Sequence, residues 1–344
     1  MSQIIMPESF SETEILEVLK SEIKEYKNIV LISGKISLEK SSHIIEGISS
    51  DKNIIKIWYG GECSYSNVKN IIEQLEGKKY DLIIGLGGGK ALDTAKVIAD
   101  KLNIDIYTIP TIPATCANYT ALSVMYNCDG SFDSLYFMKR PPKKTFIDFN
   151  IIFNSPKKYY LAGIGDTLAK YYEVFLKTSN CSINFNSILG KKISELCKEI
   201  ILNNVENSFE KLNSNFKEIV ECIFITTGLV SLLVDQKYNG AIAHSVCYGL
   251  TQIKSIEKTK LHGEIVSYGL LLQLLIENKE QEYNKLKKIY TLIGLPTKLS
   301  QLCELKDFQD NENKVLDGIM SSPNLEELPL NVDKEIFRKV LYNN

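Results

Sequence analysis

The chain has 344 residues, 44% hydrophobic and 24% charged, a soluble globular composition too long for one core to organise, so two domains are expected. Forty basic against forty-two acidic side chains leave a net charge of -2, which gives no reason to expect a nucleic-acid partner or an anionic membrane surface. No run approaches the ~18 uninterrupted apolar residues of a membrane span, residues 1–20 with Glu8, Glu12 and Glu14 do not read as a secretion signal, and eight scattered cysteines without a C-x-x-C pair read as reduced thiols. The expected compartment is the cytoplasm.

The S-x-x-E sequence from Ser11 to Glu14 reads as a capping box for an early helix. Compact apolar runs follow at 28–33 (NIVLIS), 54–59 (IIKIWY), 81–86 (DLIIGL) and 104–109 (IDIYTI). Their near-continuous Ile, Leu and Val suit strands buried on both faces, as in a parallel sheet. Between them, 68–75 and 90–102 space their apolar residues like amphipathic helices, so the pattern is that of a doubly wound α/β domain. Segments 121–127, 135–139 and 145–149 read as further strands, the first two joined by a turn at Cys128-Asp129-Gly130. After Ser155-Pro156 the strand signal almost vanishes. Helical periodicity fills 188–202, 216–234, 263–278 and 281–292, with breakers at Asn203-Asn204, Asn239-Gly240 and Gly294-Leu295-Pro296. The expected fold is an α/β domain over 1–155 and an all-α domain over 156–344.

The most informative local sequence runs from Asp81 to Lys96, where an apolar strand enters Gly87-Gly88-Gly89 and then a helix. Glycines let the backbone approach a pyrophosphate, and the helix that follows presents unpaired N–H groups. Ile84 and Ala91 stand where a Walker A loop needs Gly and Ser or Thr, and Lys90 breaks the G-x-G-x-x-G pattern. A ligand-free strand–helix turn is the plain alternative. Asp93 and Lys96, three apart, are open to a reading as a surface ion pair.

Only three histidines occur: His43, His244 and His262. His244 sits in an apolar helical stretch of small residues, and His262 opens an apolar helix after a basic loop. Such residues are often core histidines satisfied by a carbonyl, but two in neighbouring helices point to a metal. Asp166, between Gly165 and a helix of small and apolar residues, is a third ligand candidate, or alternatively a helix N-cap. One Asp and two His leave an open position, as catalytic Zn²⁺ or Fe²⁺ requires. His43 has no such company and reads as a surface residue.

Together and in order, Tyr59-Gly-Gly-Glu-Cys63, the glycine turn through Lys96, Pro110-Thr-Ile-Pro-Ala-Thr115, Ala121-Leu-Ser-Val124, the segment from Ala162 to Lys170, Ala243-His244, Gly249-Leu-Thr251 and His262-Gly-Glu264 resemble the glycerol dehydrogenase branch of the iron/zinc-dependent alcohol dehydrogenases. The resemblance covers nearly the whole chain. It implies an N-terminal Rossmann-like dinucleotide domain, a C-terminal helical domain, an active site in the cleft between them, a small alcohol or polyol as substrate, and a homo-oligomer. By motif position, Asp166, His244 and His262 match metal ligands that act in catalysis through the metal. Gly88, Gly89 and Lys90 match the pyrophosphate loop. Thr111, Thr120, Leu122 and Tyr126 match positions that contact NAD or NADP.

Three departures bear on substrate and cofactor. Cys116 stands where glycerol dehydrogenases place a substrate-binding Asp, and a thiol accepts hydrogen bonds from a polyol poorly. Cys247-Tyr248 replaces a second histidine that usually follows the first metal-ligating one. Ser33-Gly34-Lys35 lacks the acid that commonly binds the adenosine ribose and offers a cation instead, so NADP is at least as plausible as NAD. The expected chemistry is reversible hydride transfer to or from the nicotinamide, with the metal activating the alcohol oxygen. The alternatives are a glycerol-1-phosphate dehydrogenase, a dehydroquinate synthase-like enzyme, or a nucleotide sensor without turnover. Lys170 and Cys247 are placed near the site by sequence, without an assigned role.

Overall fold

The four Ile, Leu and Val runs form four adjacent strands of a six-stranded sheet in the computed structural model, which describes residues 4–50 and 52–344. The chain begins with β1 (Glu8–Glu12), α1 (Leu16–Glu22) and β2 (Asn28–Ser33), followed by α2 (Lys35–Lys40), α3 (Ser42–Ile48) and β3 (Asn53–Trp58). Then come α4 (Tyr65–Leu75), β4 (Leu82–Gly87), α5 (Gly89–Leu102), β5 (Ile106–Pro110), β6 (Leu122–Tyr126), β7 (Phe132–Phe137), β8 (Lys144–Asp148) and α6 (Phe149–Phe153). The sheet order is β1-β8-β5-β4-β2-β3, every pairing parallel. Ile29 and Leu31 enter one core and Val30 and Ile32 the other, so β2 is covered on both faces; this is the condition for a near-continuous apolar strand. From β2 the chain moves on to β3 at one edge, whereas from β4 it moves on through β5 towards the other. The order therefore reverses between β2 and β4.

β6 and β7 form a separate antiparallel hairpin. Its turn holds Gly130 at φ +90°, a backbone conformation open to glycine, and Asn127 N–H donates to the Ser131 carbonyl at 2.8 Å. The capping box expected at Ser11 is not formed. Ser11 lies in β1, and the first helix begins only at Leu16. Its start is instead held by Asp148, whose Oδ2 accepts from Ile15 N–H (3.1 Å) while Oδ1 accepts from Ile151 N–H (3.0 Å) at the start of α6. One buried carboxylate serves two helix starts, and a distant acid outcompetes the local serine.

The remaining elements are all helical: α7 (Lys157–Lys177), α8 (Phe185–Asn204), α9 (Ser214–Glu221), α10 (Thr227–Leu233), α11 (Ile242–Leu250), α12 (Lys254–Thr259), α13 (His262–Ile276), α14 (Glu280–Ile293), α15 (Leu305–Met320) and α16 (Lys334–Asn343). α9 and α10 are joined through a π-helical turn, Cys222–Thr226. There the hydroxyls of Thr226 and Thr227 both donate to the Cys222 carbonyl at 2.9 Å, which competes with the regular helix ladder. The chain divides into two compact units. The sheet-bearing unit runs to Pro156 and takes in Glu210–Leu232; the helical unit comprises Lys157–Phe209 and Leu233–Asn344. Within the first, Phe216 packs edge-on against Phe153 at 5.1 Å, and Gly228 lies so close to Tyr119 that a Cβ there would fall 2.6 Å from its ring. No helix among the described residues is long and apolar enough to cross a membrane.

Candidate functional site

In the helical unit, glycines let three helices meet at backbone contact. A Cβ on Gly263 of α13 would lie 1.9 Å from the Ala162 carbonyl oxygen of α7, and one on Gly165 would lie 2.5 Å from the Gly263 oxygen. A Cβ on Gly269 would likewise fall 2.5 Å from the Ala243 oxygen of α11. Asp166, His244 and His262 each adjoin one of these contacts in sequence, and their side chains converge. Asp166 Oδ1 lies 3.5 Å from His244 Nε2 and 3.8 Å from His262 Nε2. The three potential ligand atoms all fall within 4.8 Å of one another. Asp166 is not an N-cap: it sits inside α7, well past the first turn. His43 lies exposed on α3, apart from this cluster.

The other ring nitrogens are engaged from behind. His244 Nδ1 is 2.5 Å from Glu173 Oε2; a carboxylate only accepts, so Nδ1 carries the hydrogen and Nε2 is turned towards Asp166. Glu173 is fully buried, and its Oε1 also accepts from Ala241 N–H (2.7 Å) and His244 N–H (2.9 Å) at the start of α11. His262 Nδ1 meets Cys247 Sγ at 3.5 Å. Lys170 donates to the Asn239 carbonyl at 2.9 Å. Sequence reasoning missed Glu173, although Asp166, Lys170 and Glu173 follow the four- and three-residue spacing of one helix face.

Burial raises the Asp166 carboxyl, but the neighbouring imidazoles, His244 foremost, outweigh it and hold the group well below the usual carboxylate range. Burial likewise lowers His244, yet Glu173 and Asp166 overcome this and lift it to about 9. Loss of water pushes His262 down against the charge of Asp166, although about half of its side chain stays exposed. Burial, then the charges of Asp166 and Glu173, push the Cys247 thiol up, so it stays protonated. The donor set suits a divalent cation. Asp166 Oδ1 is buried with no close hydrogen bond, only the longer approaches of the two imidazoles at 3.5 and 3.8 Å, a loose arrangement that leaves space for a shared cation. One carboxylate and two imidazoles are ordinary ligands for Zn²⁺ or Fe²⁺ and leave an open position.

In the sheet-bearing unit, the glycine turn joins β4 to α5 with Gly88 as the helix N-cap. Thr111, just after β5, donates its N–H to the Gly87 carbonyl (3.1 Å), and its hydroxyl meets that of Ser37 at 3.1 Å. A Cβ on Gly89 would lie 3.2 Å from Thr115 Oγ1. Gly88, Gly89 and Thr111 are thus brought together at the carboxyl end of the sheet. Lys90 pairs with Glu62 at 2.7 Å and lies 4.6 Å over the Tyr126 ring, which joins two more of the expected cofactor residues. Thr120 and Leu122 are occupied differently: the Thr120 hydroxyl and carbonyl and the Leu122 carbonyl surround the buried ammonium of Lys96 at 3.2, 3.3 and 2.5 Å. Lys96 also pairs with Asp93 at 2.9 Å, both side chains buried, which corrects the surface-pair reading. Cys116 is buried in the loop after β5, its carbonyl accepting from Tyr119 N–H. No disulfide joins any of the eight cysteines.

Comparison with known proteins places this arrangement in context. Residues 7–148 match the family model described as iron-containing alcohol dehydrogenase. Hydroxycarboxylate dehydrogenase A of Escherichia coli is 35% identical over 268 residues, 74% of this chain and 71% of that protein. Glycerol dehydrogenase of Thermotoga maritima is 32% identical over 254 residues, covering 71% and 68%. The crystal structure of a probable glycerol dehydrogenase from Sinorhizobium meliloti superposes with a TM-score of 0.89 over 100% of this chain and 98% of that one, at 22% identity. The chain belongs to the iron-containing alcohol dehydrogenase family, whose members are oxidoreductases that use NAD(P) and a metal.

Proposed function

We propose that the protein is a metal-dependent, NAD(P)-linked dehydrogenase that interconverts a small alcohol, polyol or hydroxy acid and its carbonyl by hydride transfer. The observation that carries the reading is the buried Asp166 Oδ1, which faces two imidazole Nε2 atoms without a close hydrogen bond to either. In this reading Asp166, His244 and His262 hold the cation, Glu173 fixes the His244 ring with Nε2 forward, and Cys247 backs His262. A cation there supplies Lewis acidity that favours ionisation of an alcohol and polarises a carbonyl; the nicotinamide accepts or donates the hydride.

The sheet-bearing part serves the dinucleotide. Gly88 and Gly89 let the backbone approach the pyrophosphate, Lys90 offers it a cation, and Thr111 offers a hydroxyl, with Tyr126 beneath Lys90. Thr120 and Leu122 enter as a rim fixed by Lys96. Lys170 is committed to the Asn239 carbonyl and Cys247 is a protonated thiol, so neither is placed as a general base.

Substrate choice rests on Cys116. Where it replaces a carboxylate, the site loses an acceptor for neighbouring hydroxyls, which favours simple alcohols and hydroxy acids over glycerol. The E. coli relative, named for hydroxycarboxylates, points the same way. Assembly as a homo-oligomer belongs to the same reading and is checked by light scattering.

The test is to strip the protein with a chelator and follow NADH and NADPH oxidation with a panel of aldehydes, ketones and 2-oxo acids. Turnover should vanish on stripping and return with Zn²⁺ or Fe²⁺. Turnover unaffected by stripping, or bound metal without turnover on any carbonyl, would sink the proposal.

A further inference from the structure

A pair of exposed side chains, Lys35 and Trp58, stands at the carboxyl ends of β2 and β3. Open parallel sheets bind ligands outside the carboxyl ends of their strands where the order reverses, and here that point lies between β2 and β4. The glycine turn flanks it on the β4 side. On the other side, Ser33 of β2 is in register with Trp58 of β3. Trp58 is the only tryptophan of the chain and is 50% exposed, at the end of an edge strand in which Ile57 alone is buried. Lys35, two residues beyond β2, holds its ammonium 4.5 Å from the centre of that ring. It makes no ion pair among the described residues, whereas the acids of the adjoining segments are occupied: Glu39 faces Lys40 and Glu62 faces Lys90.

A flat aromatic face is a stacking surface for a purine. A ribose 2′-hydroxyl is recognised in such folds by a carboxylate, and a 2′-phosphate by a cation in its place. The segment Ser33-Gly34-Lys35 supplies the cation and no carboxylate. We infer that Lys35 and Trp58 form the adenosine subsite of the proposed dinucleotide site and select its 2′-phosphorylated form, so the protein uses NADP(H) in preference to NAD(H). Trp58 stacks on the adenine, and Lys35, already poised over the same ring, reaches the 2′-phosphate as a charge-assisted donor. The inference rests on the dinucleotide reading of the glycine turn, but it concerns residues that reading does not use.

The single tryptophan makes the test direct and independent of metal and turnover. Intact protein is titrated with adenosine 2′,5′-bisphosphate and with AMP while Trp58 emission is followed, and calorimetry with NADPH and NADH runs in parallel. The bisphosphate should quench the emission and bind at least about tenfold more tightly than AMP, the scale of one charge-assisted phosphate contact. K35A should bring the two ligands within about threefold of each other and K35E should reverse the order. W58F should weaken both while keeping the discrimination. Equal binding of the two nucleotides, or discrimination that survives K35A, overturns the inference and leaves the dinucleotide reading standing. If calorimetry finds no binding of either dinucleotide, the dinucleotide reading itself fails and this one falls with it.

Discussion

Replacing Glu173 by Gln keeps its shape and an oxygen for the Ala241 and His244 amides, but turns an amide NH₂ towards His244 Nδ1. That nitrogen must then accept, so the ring hydrogen moves to Nε2, the atom aimed at Asp166. The ligand nitrogen is thereby blocked. Loss of such a partner typically lowers metal affinity 10–100-fold, about 1.4–2.7 kcal/mol. The same substitution also removes the main support for the His244 pKa of about 9. Below that pH the native protein must release a proton from His244 to bind a cation, which weakens apparent affinity roughly tenfold per pH unit. At pH 9 the native protein should therefore exceed E173Q by the full 10–100-fold, and by pH 7 proton competition should close most of the gap. The assay is competition of metal-stripped protein with a chromophoric zinc chelator at several pH values, with circular dichroism confirming the fold. Metal-free stability gives a second reading. A histidine raised above its ordinary 6.5 stabilises the fold fully below that value and loses the contribution as pH rises through about 9. That is on the order of 3 kcal/mol, and it should shrink in E173Q. An affinity gap that is absent at pH 9, or constant with pH, refutes the role given to Glu173.

Three further perturbations probe the scaffold. G263A pushes a Cβ into the Ala162 carbonyl, a backbone atom that cannot rotate away, and should cost about 3 kcal/mol or more in urea unfolding; a loss under 1 kcal/mol would show that the helices cross more loosely. K96M strands the buried carboxylate of Asp93 and should cost about 3–5 kcal/mol. Adding D93L should recover a large part of that loss, and a double-mutant cycle with no coupling between the two positions argues against a pair. D148A removes the acceptor at two helix starts and should lower stability by about 1–3 kcal/mol, with hydrogen exchange accelerating at both Ile15 and Ile151. Acceleration at only one of them would mean that the two starts are held independently.

Legibility in the sequence followed the range of the interactions. β2 and β4 stood out because strands covered on both faces need apolar residues at every position, a purely local pattern. β1, with the sequence ESFSE, carried no such pattern; its pairing with β8 is set some 130 residues away and leaves it an edge strand. Asp166, His244 and His262 could be named because their types and surroundings are distinctive. The glycines beside them looked like turn signals, and their function as contact points between helices appears only when the helices cross. Lys96 shows the same limit. Its spacing from Asp93 fits an exposed helix face, and only carbonyls from the segment 120–122 make burial of its charge tolerable.

The return of Glu210–Leu232 to the sheet has a practical consequence for anyone cutting the gene. A fragment ending after Pro156 lacks the segment that brings Phe216 to Phe153 and Gly228 to Tyr119, so it would expose apolar surface and tend to aggregate when expressed alone. On the ribosome, too, the nascent first unit waits for residue 232 before it can close, with the stretch Lys157–Phe209 held as an excursion in between.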